Sequence, residues 1–291
     1  VAGLFVASVV LTGAMADEKM RLFSTARLVA GLFVASMVLT GAMAADNMKI
    51  DHIKIVALSE AGVFGQFNTY KINSNYYKLS QAERDEAVKE VEALVKKHSD
   101  SIRVDAYLTR GFESESDFLF RINGYDPSAV QEFLIAFKAT SIGRYSDITF
   151  AINGITKGLN HTTKEKAPEL LDALKSTKYS EKPPRYAFVL PITKNAVWWN
   201  KTENEKLALM KDHTIPTLPF LVNVNRKLYH STGIDDSDWI TYFETNDLKA
   251  FNDLNIKLFS VSENLDNVRY GKPTIMGSIM PVADVFKALS K

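Results

Sequence analysis

The residues with the clearest chemical potential lie in the C-terminal half, where a histidine and an arginine stand 13 positions apart. His213 follows a predicted helix and precedes the proline-containing apolar run Thr214–Pro219, so its imidazole is expected at the rim of a hydrophobic cavity. An imidazole can ligate a metal or transfer a proton near neutral pH. Arg226 opens a predicted strand and could project into the same cavity. From the pattern alone, His213 is more often a structural histidine, and Arg226 is more often a surface cation or a propionate-type anchor.

Two tryptophans and a lysine lie close to this pair in the sequence. Trp198 and Trp199 follow a predicted strand that ends near Lys194. Adjacent side chains on an extended segment face opposite ways, so one tryptophan can line a cavity while the other packs into the core or a subunit contact. Lys194 could pair with an anionic ligand, although a solvated lysine is the more common case.

Several other chemistries have no signature in this chain. The five histidines form no H-x-x-H or H-E-x-x-H pair, and neither a glycine-rich phosphate loop nor a G-x-S-x-G elbow is present. The absence of cysteine excludes disulfides, thiolate zinc sites, iron–sulfur clusters and thiol nucleophiles. With 35 Lys and Arg against 34 Asp and Glu, the charge balance argues against a nucleic-acid partner.

Alternating strand and helix patterns from Ile50 onward supply the elements that must position these residues. The order is β-α-β-β-α-β, a ferredoxin-like unit, and Ser80 with Glu83 can form a capping box on the first helix. The predicted strands are Ile50–Leu58, Arg103–Arg110, Asp117–Asn123 and Asp147–Gly154, and the predicted helices are Ser80–His98 and Pro127–Thr140.

The same order then recurs in the second half of the chain. YLTRGFESESDFLFRINGYD from Tyr107 parallels YHSTGIDDSDWITYFETND from Tyr229, which indicates an internal duplication. The predicted fold is α+β, with tandem ferredoxin-like repeats of the dimeric α/β-barrel type. Their antiparallel sheets, flanked by helices, can pack face to face or close into a barrel. The predicted strands are Arg185–Ile192, Arg226–Ser231, Trp239–Thr245 and Pro273–Ser278, and the helices are Glu203–Asp212, Asp247–Asn264 and Val282–Leu289.

The first 44 residues are interpreted as an export leader and not as part of this fold. VAGLFVASVVLTGAMA at Val1 is repeated at Val29 with one substitution. The second copy has basic residues before a short apolar run and an A-x-A exit, which is typical of a signal peptide cleaved after Ala44. We expect Met20 to be the natural start, and a retained anchor is disfavoured because the run is short. The predicted organisation is residues 1–44 leader, 45–154 first unit, 155–184 linker and 185–291 second unit.

The segments RYAFVLPITKNAVWWN and LMKDHTIPTLPFLVNVNRKLYHSTGIDDSDWITYFETNDL resemble the chlorite dismutase family. The resemblance covers most of the mature chain and is densest from Arg185 to Gly277. It implies two ferredoxin-like units per subunit, with one haem b in the C-terminal unit, and a homo-oligomer that is a pentamer in the long-chain exported branch. The leader separately predicts export, most simply to a bacterial periplasm, with no membrane as partner after its removal, and the charge balance predicts no nucleic-acid partner.

The resemblance assigns roles to individual residues. His213 becomes the proximal ligand of the haem iron and Arg226 the catalytic distal arginine, while Glu263 accepts a hydrogen bond from the proximal imidazole. The remaining cofactor contacts are a haem-propionate contact at Lys194, tryptophans near the haem and subunit interface at Trp198 and Trp199, and a haem-edge position at Asn160. No role is assigned to His161, and Tyr270 is interpreted as packing.

The implied activity is that of a chlorite O2-lyase, which converts chlorite into chloride and dioxygen. Its route passes through a ferryl species and a transient hypochlorite, which Arg226 would retain until the O–O bond forms. The alternatives are a haem peroxidase or iron-porphyrin decarboxylase of the same fold, and a haem-free binding or stress module with His213 in its core. Arg226 disfavours the first pair, since those relatives generally lack the distal arginine.

Overall fold

Nine antiparallel strands form one continuous sheet in the part of the chain that the computed structural model describes, residues 61–157 and 182–291, with 167–169, 172–173 and 180 between them. All these residues fall in one unit that spans Ile50–Lys291. The strands are Phe64–Ile72 (β1), Ile102–Leu108 (β2), Phe118–Gly124 (β3), Ser146–Ile155 (β4), Tyr186–Lys194 (β5), Val224–His230 (β6), Trp239–Thr245 (β7), Asn267–Tyr270 (β8) and Ile275–Ile279 (β9).

The helices lie between these strands in the order that the sequence predicts. The α-helices are Gln81–Lys97 (α1), Pro127–Ala139 (α2), Ser141–Arg144 (α3), Ala196–Asn200 (α4), Glu203–Thr214 (α5), Leu248–Phe259 (α6) and Val282–Leu289 (α7). Short 3-10 turns cover Ser74–Lys78, Ile215–Val222 and Ser262–Asp266. Two helices begin with a complete capping box, the predicted one at Ser80 and a second at Thr202. No helix in these described ranges has the length and apolar character needed to cross a bilayer.

The strand order identifies two ferredoxin-like sheets joined edge to edge. The order β4-β1-β3-β2 in the first unit matches β9-β5-β7-β6 in the second. The sheets meet where Ile155 of β4 pairs with His230 of β6, and again where Tyr107 and Leu108 of β2 pair with β9. Since β5 also pairs with β7, eight strands close into a ring. The predicted α+β class with tandem repeats is confirmed, and the sheets close into a barrel.

The two parallel hairpins found in the sequence have matching hydrogen bonds. Gly111 and Gly233 hold φ values of 95° and 73° in the turns, a conformation that glycine adopts without strain. Asp117 and Asp238 follow them, and each carboxylate accepts a 2.7 Å hydrogen bond from a backbone N–H at the end of the first strand of its unit. The duplication therefore extends to individual contacts.

Side chains from the strands build one core inside the ring and two outside it. The interior holds Phe67, Tyr229 and Tyr242. The outer face of the first unit is filled by aromatic side chains and by Phe286 of α7, which packs 5.0 Å from Phe118 between ring centroids. The outer face of the second unit has a smaller core that includes Phe188. The first unit is thus closed by the C-terminal helix of the chain.

The structure corrects several predicted boundaries. Ile50–Leu58 lies outside the described residues, and the first strand of the sheet is Phe64–Ile72, which the sequence analysis missed. This strand is covered on both faces, Asn68 and Thr69 are buried in it, and a bulge follows Thr69, so its sequence does not alternate cleanly. The strand β8 was also not predicted, and the predicted helix Asp247–Asn264 ends at Phe259.

Candidate functional site

The candidate site forms around His213, which lies in the last turn of α5 and not after the helix as predicted. The helix gives way to a 3-10 turn that contains Pro216 and Pro219, neither of which can donate a backbone hydrogen bond. His213 Nδ1 lies 3.0 Å from Glu263 Oε2. Removal from water, together with the positive charges of Arg226 and Lys194, lowers the pKa of His213 to about 3. The imidazole is therefore neutral at physiological pH.

The carboxylate of Glu263 fixes which nitrogen of this imidazole carries the proton. A neutral imidazole has one N–H, and a carboxylate can only accept, so Nδ1 donates to Glu263 and Nε2 keeps its lone pair. Glu263 itself is buried in the 3-10 turn that follows α6. The imidazole therefore offers one oriented lone pair, on Nε2, to a metal, and Glu263 increases the basicity of the ring.

Lys194 contacts Glu263, the residue that accepts the hydrogen bond from His213. Its Nζ forms an ion pair with Glu263 Oε1 and donates a 3.1 Å hydrogen bond to the backbone carbonyl of Glu263. Burial lowers the pKa of Lys194, and Asp266 and Asp238 oppose that shift. The predicted contact with a haem propionate stays a prediction; in the structure this buried ammonium is paired with Glu263.

Arg226 reaches the site from β6, in the middle of the strand and not at its start. It shares the outer face of β6 with Leu228, since alternate residues of a strand face the same way. Its Nη1 lies 3.5 Å from Thr217 Oγ1, in the 3-10 turn that follows His213. Thr217 was not predicted as a site residue, although it lies within the HTIPTLP segment. Arg226 on the strand β6 and His213 at the end of α5 therefore belong to one site, in which the charge of Arg226 helps to lower the pKa of His213.

The two tryptophans differ in burial, and the segment that carries them is not extended as predicted. They lie in the short helix α4, where consecutive side chains point about 100° apart. Trp198 is 1% exposed and its ring lies 4.5 Å from Lys194 Nζ. Trp199 is 44% exposed and stacks on Trp239 at 5.6 Å. Trp198 is therefore a buried contact of Lys194, while Trp199 is exposed at the surface.

The remaining predicted residues lie apart from this group. Asn160 and His161 fall outside the described residues. Tyr270 donates a 2.9 Å hydrogen bond to Asn255 and packs against Phe259, which agrees with its interpretation as a packing residue. His98, which directly follows α1, packs edge-on against Phe133 with its Nε2 buried.

The donor set suits a cofactor that needs one protein nitrogen. In the described part of the chain, no group of three or more His, Asp or Glu side chains could hold a metal ion. A zinc site needs three or four protein ligands, whereas haem iron accepts a single axial histidine. Exposed apolar side chains flank His213 and Arg226, namely Ile215, Val222 and Leu228. A neutral, oriented imidazole beside apolar surface fits a haem.

Comparison with known proteins gives consistent matches over most of the chain. The family model described as chlorite dismutase matches residues 84–280. A chlorite dismutase of Ideonella dechloratans is 52% identical over 241 residues, which cover 83% of this chain and 84% of that protein.

Solved structures agree with this match. An arginine-to-lysine variant of the chlorite dismutase from Candidatus Nitrospira defluvii is 36% identical, with a TM-score of 0.79 over 83% of this chain and 100% of that one. Its imidazole complex gives 0.78 with the same identity and coverage. A haem-binding protein from Thermus thermophilus, 15% identical, has a TM-score of 0.65 over 79% of this chain and 96% of that one, which shows the fold alone.

Proposed function

The chain belongs to the chlorite dismutase family, and from this premise we propose that it converts chlorite into chloride and dioxygen at a haem b bound by His213. The observation that carries the proposal is the pair of His213 and Glu263. It holds a neutral imidazole with Nε2 free, next to the cation of Arg226. The reaction is balanced without an external reductant, since one chlorite yields one chloride and one dioxygen.

His213 would ligate the haem through Nε2, and Ile215, Val222 and Leu228 would contact the macrocycle. Bound haem supplies an iron that can accept an oxygen atom from chlorite and return it. Glu263 would keep the Nδ1 proton partly drawn toward its carboxylate, so that the imidazole donates more electron density. Lys194 neutralises part of that carboxylate and limits the effect, because its ammonium is paired with Glu263.

Arg226 would attract the chlorite anion and retain the hypochlorite formed from it. A guanidinium is always charged and offers several directed donors. In a site that contains little water, such a fixed donor stabilises an anion more strongly than solvent does. The nearby Thr217 hydroxyl, already donating to the backbone carbonyl of Thr214, can help to orient Arg226. Retention matters because dioxygen forms only if hypochlorite stays until its one oxygen atom, the second of the original chlorite, is used.

The proposal includes an exported, ring-shaped assembly, most simply a periplasmic homopentamer. It is supported by the leader pattern before Ala45 and by exposed apolar side chains of the second unit. Trp199, Val268 and Leu265 are 44%, 67% and 83% exposed, respectively. Exposed apolar surface of this kind is typical of a protein–protein contact.

An oxygen electrode tests the proposed reaction. Chlorite added to the haem-loaded protein should release one dioxygen per chlorite, and His213→Ala should lose both the Soret band and the activity. Arg226→Ala should keep the Soret band while it releases hypochlorite into a chlorination trap and inactivates faster. Haem-loaded wild-type protein that releases no dioxygen would overturn the proposal, and an Arg226→Ala protein without extra leakage would overturn the role of Arg226.

A further inference from the structure

The three tryptophans of the chain lie together beside the site and are termed the tryptophan cluster: Trp198 and Trp199 of α4 and Trp239 of β7. The rings of Trp199 and Trp239 stack at 5.6 Å with 9° between their planes, and the ring of Trp198 meets Trp239 edge-on at 6.2 Å. Stacked and edge-on pairs are favoured arrangements of aromatic rings. Their contact also gives an electron a short path from one ring to the next. The proposed reaction assigns no step to these three residues.

A series of contacts joins the tryptophan cluster to His213. Glu263 accepts a hydrogen bond from His213 through Oε2 and is paired with Lys194 through Oε1. Lys194 Nζ in turn lies 4.5 Å from the centroid of the Trp198 ring. A haem bound by His213 would therefore be connected to Trp198 by consecutive contacts of three side chains.

Trp239 has an acceptor for its indole proton. Its Nε1 donates a hydrogen bond of 3.2 Å to His230 Nδ1. An indole nitrogen can only donate, so Nδ1 of His230 carries no proton in this state. Loss of one electron makes an indole N–H strongly acidic, and an imidazole readily takes a proton near neutral pH. Trp239 can therefore lose an electron and a proton together and become a neutral radical.

Tyr270 lies on the same outer face of the second unit but has no such acceptor for its proton. It packs in the core that includes Phe188, and its hydroxyl donates to the amide oxygen of Asn255 at 2.9 Å. Burial raises the pKa of Tyr270, and an amide oxygen does not take the proton that an oxidised tyrosine must release. An electron is therefore lost less readily from Tyr270 than from Trp239.

We propose that Trp239 and His230 hold an oxidising equivalent that leaves the haem when hypochlorite escapes. The inference rests on the proposed function, because the oxidant is a haem that has taken an oxygen atom from chlorite and cannot return it. Such a haem lacks two electrons. One electron passes to it from Trp239 by way of Trp198, and the indole proton of Trp239 moves to Nδ1 of His230. The haem is then short of one electron only, which limits oxidation of its own macrocycle.

Peracetic acid is the oxidant that tests this electron transfer. It gives the haem one oxygen atom and leaves acetic acid, with no hypochlorite to take the oxygen back. Rapidly frozen haem-loaded protein should show the electron paramagnetic resonance signal of a neutral tryptophan radical, and ring-deuterated tryptophan should narrow that signal. Trp239→Phe should lose the signal, whereas Tyr270→Phe, the matched control on the same face, should keep it.

His230→Asn separates proton transfer from packing. Its side-chain oxygen can accept the hydrogen bond from Trp239 but does not take the proton. The variant should therefore keep its Soret band and its unfolding midpoint in urea, yet lose the radical signal. Peracetic acid should bleach the haem faster in Trp239→Phe and in His230→Asn than in the wild-type protein, because the haem then keeps both oxidising equivalents.

Two results would overturn the proposal. One is a wild-type Soret band that reports oxidation by peracetic acid without any tryptophan signal. The other is a signal of wild-type intensity in Trp239→Phe or in His230→Asn, which would place the radical on another residue or remove the proton transfer. A protein without a Soret band would overturn the proposed function itself, so the two failures are distinguishable.

Discussion

Glu263 is the residue on which the electronic character of the site depends. It accepts from His213 through Oε2 and pairs with Lys194 through Oε1, so one carboxylate couples an imidazole to a buried ammonium. A change at Glu263 therefore has two separable consequences. One concerns the electron density on the imidazole, and the other concerns a cation left without its partner.

Glu263→Gln should destabilise the fold by about 3 to 5 kcal/mol, because it leaves Lys194 buried and unpaired. It should also raise the reduction potential of the loaded protein, since a neutral amide draws less on the Nδ1 proton. The double variant Glu263→Gln with Lys194→Met should recover most of the stability but keep the raised potential. Urea unfolding and redox titration separate the two effects. A double variant with the wild-type potential would contradict the role of Glu263.

The lowered pKa of Lys227 predicts that the free energy of unfolding depends on pH through a group other than His213. Its pKa is about 7 in the folded protein and about 10.4 in an unfolded chain. The unfolded chain therefore binds more protons between these values, so the free energy of unfolding should rise with pH from about 7 to about 10. Lys227→Met should make this rise shallower and leave the part that comes from Lys194, whose pKa burial likewise lowers to about 7. An equally steep rise in Lys227→Met, measured by urea unfolding, would show that other groups cause it.

Among the elements, α5 has the most direct influence on the site because it ends at His213. Its capping box at Thr202 has a counterpart at Ser80, which begins the equivalent helix of the first unit. The two boxes have the same hydrogen bonds. They therefore offer a matched comparison between a helix that carries a ligand and one that does not.

Thr202→Ala and Ser80→Ala should each lower the free energy of unfolding by about 1 kcal/mol. Only Thr202→Ala should accelerate haem loss, by up to about fivefold if the whole effect reaches His213. Haem transfer to an acceptor protein measures this rate. Equal acceleration by Ser80→Ala would mean that haem loss follows global stability and not the order of α5.

Element types were largely predictable from sequence, whereas contacts made through turns were not. The alternation in β7 and the amphipathic pattern of α7 place those elements with the bounds that the structure has. The strand β1 was not predicted because burial on both faces removes the alternation of apolar and polar residues that marks a half-buried strand. The convergence of His213 and Arg226 follows from the apolar run between them, but the buried contact of Lys194 with Glu263 depends on a 3-10 turn that no periodicity marks.

In the molecule as a whole, the barrel closes at two short strand pairings, β2 with β9 and β4 with β6, which are termed the seams. At each seam an acidic side chain from a hairpin loop, termed a clamp, accepts a hydrogen bond from a backbone N–H. Glu113 of the first hairpin accepts from the backbone N–H of Met276 on β9 at 2.8 Å. Asp235 of the second hairpin accepts from the backbone N–H of Asn153 on β4 at 2.9 Å. Each unit thus holds the fourth strand of the other in the same way.

Glu113→Ala and Asp235→Ala should each cost about 1 to 3 kcal/mol of stability, because each leaves a backbone N–H near a seam without its partner. Glu115→Ala and Asp236→Ala remove acids from the same two loops and should change stability by less than about 0.5 kcal/mol. Denaturant unfolding of the four variants gives the comparison. Similar losses in all four would attribute the effect to loop charge and not to the clamps.

The whole chain is close to neutral, with 35 basic and 34 acidic residues, so anions must be attracted by local groups. In the proposed reaction that group is Arg226, and its purpose is to keep both oxygen atoms of one chlorite together. The most direct measurement is the isotopic composition of the dioxygen released when unlabelled chlorite is added to the haem-loaded protein in water enriched in oxygen-18. The account predicts unlabelled dioxygen, since both atoms come from chlorite. Dioxygen that carries the label of the water would contradict it.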